Sequence, residues 1–286
     1  MINSKIQFKR QREIGEILSD TFKFIRLEYK GLFKALLRNA GIPFLLLLAV
    51  SGYSTATTAD LSFLSNGGLF SAGGILLSLS AVGIMTVIYY GFMFSTVLNY
   101  IKSYITDASI DQEYISRKVK TDFVGIIGLS ILTALMLVIG FMLCFFPGVY
   151  LSVPLALVFA IYIFQNLSVS DSITESFSLI KNEWWSSFFT FIVIYVIVYL
   201  ISMVFQIPAL VYMLIKSFTQ SQEVSSVSPD QLFDWVYITL NVLASAVSYL
   251  FYTIIVIASA FVYFNLNEKK NQTGTLEKID AIGGDR

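Results

Sequence analysis

The sequence predicts an all-α polytopic membrane protein with six transmembrane helices. Of its 286 residues, 56% are hydrophobic and only 13% are charged, and the mean hydropathy is +0.73, whereas an ordinary soluble domain carries about 25% charged residues. Six stretches also reach the roughly 20 apolar residues needed to cross about 30 Å of hydrocarbon. The predicted spans are about 36–59, 74–101, 123–146, 149–167, 187–215 and 235–264.

The first predicted element is a cytoplasmic N-terminal segment at 1–31, which is too polar for a cleavable signal peptide. Apolar residues recur at helical spacing between Ile14 and Tyr29, so we expect an amphipathic helix on the membrane surface. The first span then starts with Lys34 and Arg38, whose long side chains can reach the headgroups.

The third and fourth spans are separated by Pro147 and Gly148, which predicts a tight hairpin turn. Each is long enough to cross the bilayer, although a re-entrant pair is the alternative. With the other spans they complete a transmembrane domain over 32–266. The remaining residues, 267–286, form a cytoplasmic tail of mixed charge, which we expect to be mobile, although its short amphipathic run 276–282 is able to dock.

The distribution of basic residues predicts the orientation, because cytoplasmic loops are enriched in Lys and Arg. With these spans, 18 of the 19 Lys and Arg residues fall on the side of the two termini, and only Lys216 falls on the other. Both termini are therefore expected in the cytoplasm.

One short pattern occurs before the first, third and fifth spans. It consists of an aliphatic residue, a basic residue, any residue, an acid and an aromatic residue, and we call each occurrence an elbow. The aromatic ring is expected at the interface, the basic residue near anionic headgroups, and the acid at the positive end of the following helix. The pattern fits three copies of a helix-hairpin unit, and it equally fits general features of helices that enter a membrane from its basic side. The elbow residues are Ile25, Arg26, Glu28 and Tyr29; Val119, Lys120, Asp122 and Phe123; and Ile180, Lys181, Glu183 and Trp184.

Several segments resemble a known group of proteins. They are the opening 12–25, the hairpin 147–151, the surface helix that ends at Trp184 and Trp185, and the closing 263–268. They resemble uncharacterised bacterial six-helix membrane proteins, similar to the YciC-like proteins and to the membrane domain that precedes the catalytic domain in some glycerophosphodiester phosphodiesterases. The resemblance covers nearly the whole chain and implies six helices in the inner membrane. Since only about 20 residues follow the last span, we expect no catalytic phosphodiesterase domain.

The composition also argues against an enzyme. The chain has no histidine, and its single cysteine, Cys144, lies in an apolar run and is expected to be a buried hydrophobic residue. The spans contain no convincing ionisable pair, and Asp234 and Lys216 fall at helix ends. We therefore predict no catalytic residues, no metal and no cofactor. The formal net charge of zero gives no indication of nucleic-acid binding.

Polar residues form two stripes at helical spacing in the last two spans. Helix packing explains such stripes, and a polar seam that binds a lipid headgroup or small solute is the alternative. The candidate seam residues are Tyr195, Tyr199, Ser202 and Gln206 in the fifth span and Asn241, Ser245 and Ser248 in the sixth.

These observations predict a non-enzymatic inner-membrane protein. We expect an accessory or scaffold subunit of a membrane complex linked to envelope, lipid or export processes. Its expected partners are membrane lipids and another membrane protein or complex. The alternative function is a permease or lipid-handling protein that uses the polar seam.

Overall fold

The computed structural model describes residues 5–59, 69–106, 110–220 and 233–283. Of these residues 91% are helical and none lies in a strand, and six helices are long and apolar enough to cross a membrane. The protein is therefore an all-α, multi-pass integral membrane protein, as the sequence predicts. The helices are α1 (Ile14–Ala59), α2 (Leu69–Thr106), α3 (Gln112–Leu143), α4 (Phe145–Leu155), α5 (Val158–Gln165), α6 (Val169–Ile180), α7 (Trp184–Gln220), α8 (Trp235–Asn271) and α9 (Thr273–Gly283).

The chain forms two compact units that share the long helices. The first contains Met1–Asn39, Gly91–Val196 and Thr253–Arg286, and the second contains Ala40–Tyr90 and Ile197–Tyr252. The first unit holds both terminal segments and all three elbows. A small core in this unit, Leu129, Leu155 and Val158, joins α3, α4 and α5.

No new helix begins at the first two elbows, so the helix start expected there is wrong. α1 is one helix of 46 residues, and α3 also continues through its elbow. Only the third elbow interrupts the helix: α6 ends at Ile180, three turn residues follow, and α7 begins at Trp184. The expected surface helix of α1 therefore continues directly into the first span and is not a separate element, because a change from amphipathic to uniformly apolar sequence does not break backbone hydrogen bonds.

The hairpin between the third and fourth spans turns at Cys144, three residues before the predicted position. Cys144 has an extended backbone and is exposed, so its expected burial is wrong. Pro147 falls in the first turn of α4, where the N–H that proline lacks would have no helical partner. Beyond the turn α3 and α4 pack closely: a Cβ added at Gly140 would lie 3.1 Å from the Cα of Gly148.

The C-terminal tail differs from the mobile end that the sequence favours. α8 continues seven residues past the predicted span to Asn271. Gln272 then adopts a left-handed backbone with φ of 50°, and α9 follows. The tail is therefore helical through Gly283.

Candidate functional site: polar contacts of the terminal segments

The N-terminal segment 5–13 is packed into the first unit, although it is not helical. The Phe8 side chain is 2% exposed. Its ring stacks on Phe261 with centroids 4.4 Å apart and meets Phe24 edge-on at 5.4 Å. The backbone N–H of Ile6 donates a hydrogen bond of 2.8 Å to the hydroxyl of Tyr104. This segment therefore joins α1, α2 and α8.

Arg12 is the most extensively bonded charged residue of the segment. Its side chain is fully buried. The guanidinium donates through Nε to Asp20 at 2.9 Å and through Nη1 to the carbonyl oxygen of Phe8 at 2.6 Å. It also donates to the carbonyl oxygen of Gln7 and lies 4.8 Å from the ring centroid of Phe261. Arg12 thus holds the N-terminal segment against the start of α1.

Asp20 also accepts a hydrogen bond from a second arginine, with Arg10 Nη2 at 2.9 Å from Asp20 Oδ2. The Arg10 side chain is 40% exposed. Burial lowers the pKa of Arg12, partly offset by Asp20. The hydrogen bond to Asp20 raises the pKa of Arg10. Both guanidinium groups stay charged at neutral pH, because the ordinary arginine pKa lies above 12. Arg12 therefore depends on Asp20 and the backbone carbonyls for compensation of its charge.

Glu268 connects α8 to α9. Its carboxylate accepts the N–H groups of Gly274 at 2.7 Å and Thr275 at 3.0 Å, and the Thr275 hydroxyl at 2.8 Å. Both N–H groups lie in the first turn of α9, where a negative charge is stabilised. We use the name terminal clasp for segment 5–13, Asp20 and the α8–α9 junction around Glu268.

Three ion pairs surround the terminal clasp. Lys269 Nζ lies 2.8 Å from Glu183 Oε2, which ties α8 to the third elbow. Lys270 Nζ lies 3.2 Å from Glu175 Oε1 on α6. Lys9 pairs with Glu277 on α9. These charges hold helices together. A cleft of about 570 Å³ lies beside the terminal clasp and is lined by Lys269 and by the acidic residues Glu13 and Glu16. This mixture of charges does not favour an anionic ligand over a cationic one.

At the first two elbows the acids do not lie at a helix start as the sequence predicts, whereas Glu183 directly precedes α7. Glu28 lies inside α1 and accepts a 2.7 Å hydrogen bond from the Tyr100 hydroxyl. Asp122 lies inside α3 and accepts from Asn99 Nδ2 at 3.0 Å. Tyr100 and Asn99 are neighbours on α2, so α2 bonds to both α1 and α3. The acids link helices because the unbroken helices leave no free N-terminus beside them.

The other elbow residues divide by burial. Val119 and Ile180 are each 1% exposed, and Ile25 is half-buried, whereas Lys120 and Lys181 are exposed. Two elbow aromatics are packed. The ring of Phe123 stacks on Phe92 at 4.3 Å, and that of Trp184 stacks on Tyr150 at 5.8 Å. The remaining two, Arg26 and Tyr29, are exposed on α1. Their contact with headgroups stays a prediction.

The predicted seam residues fall in both units, with Tyr195 in the first and the other six in the second. Tyr199 is 68% exposed, so its side chain does not line a buried seam. Ser202, Gln206, Asn241 and Ser245 are half-buried. The hydroxyl of Ser248, also half-buried, donates within its own helix to the carbonyl oxygen of Ala244 at 3.0 Å. Binding by these residues stays a prediction.

The second unit contains a tyrosine cluster that sequence analysis missed. The Tyr89 hydroxyl donates to the carbonyl oxygen of Tyr249 at 3.3 Å, and the Tyr249 hydroxyl lies 3.4 Å from Ser51 Oγ. Tyr90 and Tyr252 pack with ring centroids 4.8 Å apart. The Tyr89–Tyr90 pair and the i, i+3 spacing of Tyr249 and Tyr252 are the only signals in the sequence, and both are common in membrane helices.

Asp234 and Lys216 form an ion pair at the ends of α8 and α7 in the second unit, in agreement with their expected location at helix ends. Asp234 also accepts from the Tyr212 hydroxyl at 2.6 Å and from the N–H of Tyr237 at 3.1 Å. Desolvation raises the pKa of Asp234, but the hydrogen bonds from Lys216, Tyr212 and Tyr237 outweigh it and lower the pKa to about 2. The pair therefore fastens the start of α8 to α7.

The described part of the chain contains no group of three His, Cys, Asp or Glu residues able to hold a metal ion. The chemistry that its polar groups support best is therefore hydrogen bonding between helices, at the terminal clasp and at the elbows. Comparisons with protein families, with curated proteins and with solved structures each found no match.

Proposed function

We propose that this protein is a non-enzymatic accessory or scaffold subunit of an inner-membrane complex, linked to envelope, lipid or export processes, with both termini in the cytoplasm. Its partner is another membrane protein, which packs against the exposed face of α7. The asymmetric distribution of Lys and Arg supports this orientation.

Tyr199 is the observation on which the proposal depends. It lies near the middle of the predicted span 187–215 and is 68% exposed. Within the described residues its hydroxyl has no hydrogen-bond partner, and lipid tails offer none. A hydroxyl left without a partner in an apolar environment costs about 1–3 kcal/mol. A polar group on a neighbouring transmembrane helix would remove that cost, and each such bond contributes about 0.6 kcal/mol on average.

The terminal clasp supports the same proposal. Its buried charges, Arg12, Asp20 and Glu268, form hydrogen bonds that join segment 5–13 to α1 and α8 to α9. A rigid arrangement of terminal segments suits a protein whose role is to position another.

The test is purification of the tagged protein from native membranes in nanodiscs, with quantitative mass spectrometry of co-purifying proteins and lipids. We expect one stoichiometric membrane protein, whose recovery falls in the Tyr199→Phe variant. Tyr53→Phe is the matched control: Tyr53 is 64% exposed on α1, but lies closer to the end of its predicted span, where the hydroxyl can reach the interface. Recovery of the chain alone, with one enriched lipid or solute, would contradict the proposal and favour the polar seam.

A further inference from the structure

Five basic side chains lie within the first 25 residues of α1. They are Lys23, Arg26, Lys30, Lys34 and Arg38, and all five are exposed. Their spacing of three or four residues at 100° per residue places them within about 120° of the helix circumference, over a rise of about 22 Å. We call this set the basic stripe.

The basic stripe differs from the basic residues in and around the terminal clasp in its lack of acidic partners. Lys9, Arg10, Arg12, Lys269 and Lys270 each form an ion pair with an acid. Among the described residues, none of the five stripe residues forms an ion pair or a hydrogen bond through its side chain, and the one contact of the set is Lys30 lying over the ring of Tyr29 at 5.7 Å. The stripe is therefore a line of positive charge that no acidic residue of the described ranges neutralises through an ion pair.

Large apolar side chains flank the basic stripe along one side. Phe22, Tyr29, Phe33 and Leu37 are 38%, 54%, 50% and 57% exposed. The same helical geometry places them about 40° to 120° from the centre of the stripe. The opposite face of α1, with Phe24, is buried. Clusters of about four to eight Lys and Arg residues next to a span are typical of sites that bind anionic lipids.

We propose that the basic stripe of α1 is a binding surface for anionic phospholipid headgroups. The Lys and Arg side chains pair with headgroup phosphates, and the neighbouring aromatic and aliphatic side chains contact the acyl chains of the bound lipids. A soluble acidic partner would pair with the same charges, but it would leave this apolar flank in water. The inference goes beyond the proposed role as a subunit, because lipid binding by α1 is independent of any partner on α7.

The experiment measures lipid retention by the full-length protein in mild detergent, with equal amounts of phosphatidylglycerol and phosphatidylcholine and native mass spectrometry as the readout. The wild type is expected to retain phosphatidylglycerol preferentially. A variant with all five stripe residues changed to Gln should lower the ratio of retained phosphatidylglycerol to phosphatidylcholine by about tenfold or more, because each basic residue near an anionic surface contributes about a fivefold gain.

The matched control exchanges Lys and Arg at the five positions, which keeps every charge and should keep the preference. Wild-type protein in 0.05 M and 0.5 M salt gives a second measurement that needs no variant, and the preference should fall at high salt. Added glycerol phosphate should not compete, because it lacks the acyl chains that the apolar flank binds. Equal retention of the two lipids by the wild type, or an unchanged ratio in the Gln variant, would overturn the proposal, as would full competition by glycerol phosphate.

Discussion

Replacement of Arg12 by Gln should open the terminal clasp. The change removes the bond to Asp20 and the donors to the carbonyl oxygens of Phe8 and Gln7. Removing one partner of a buried ion pair costs about 3–5 kcal/mol. The cost here should be near the lower end, about 3 kcal/mol, because Asp20 keeps its bond to Arg10.

Hydrogen exchange of a peptide that covers residues 5–13 is the direct assay of this opening. The amide of Ile6 is bonded to Tyr104, and that of Arg12 is bonded to Asn265. Both should become accessible when the segment opens. A loss of about 3 kcal/mol corresponds to exchange about 10²-fold faster, at 1.36 kcal/mol per tenfold change.

Arg10→Gln is the matched control, since Arg10 donates to the same Asp20 oxygen at the same distance of 2.9 Å but is 40% exposed. An exposed pair contributes about 0.2–1 kcal/mol, so exchange should rise no more than about fivefold. Equal effects of the two variants, or unchanged exchange in Arg12→Gln, would refute the assignment of Arg12 as the residue that holds the segment.

Two further predictions concern other parts of the chain. Gly140→Ala should lower the thermal unfolding midpoint measured by circular dichroism, because the new methyl group would meet the backbone of Gly148 and overpacking costs about 1–3 kcal/mol. In the control variant Gly128→Ala, on the same helix, the methyl group meets nothing within 4 Å and should not lower the midpoint. Equal midpoints for the two variants would count against the α3–α4 contact. The lowered pKa of Asp234, about 2, adds stability that is fully present above the unfolded value of about 3.9 and is lost as the pH falls through about 2. The midpoint of Asp234→Asn should therefore depend less on pH between 4 and 2 than that of the wild type, and identical pH profiles would refute the pairing with Lys216.

The six spans were predictable because long apolar stretches have few alternatives to crossing a membrane as helices. Helix continuity was not predictable in the same way. Nothing in the residues around Tyr29 or Phe123 distinguishes a bend from an unbroken helix. The turn before Trp184 has no signal of its own either, because all three elbows share the same pattern. The predicted hairpin turn falls three residues too late because Pro147 suggests the end of a helix, although proline is equally compatible with a helix's first turn.

The terminal clasp escaped prediction for another reason. Segment 5–13 has no periodicity, so neither the burial of Phe8 nor that of Arg12 has a local signal in the sequence. The role of Glu268 likewise depends on a second helix that begins five residues later. The bond between Arg12 and Asn265 joins residues 253 positions apart, and a pattern within one stretch of sequence does not specify such a contact.

The central claim, that the exposed face of α7 meets another membrane protein, is tested most directly at position 199. A photoreactive benzoylphenylalanine in place of Tyr199 can be irradiated in native membranes, with the same residue in place of Tyr53 as the control. The proposal predicts one cross-linked product of defined mass at position 199, containing a second membrane protein, and none at position 53. Lipid adducts alone at both positions would contradict it.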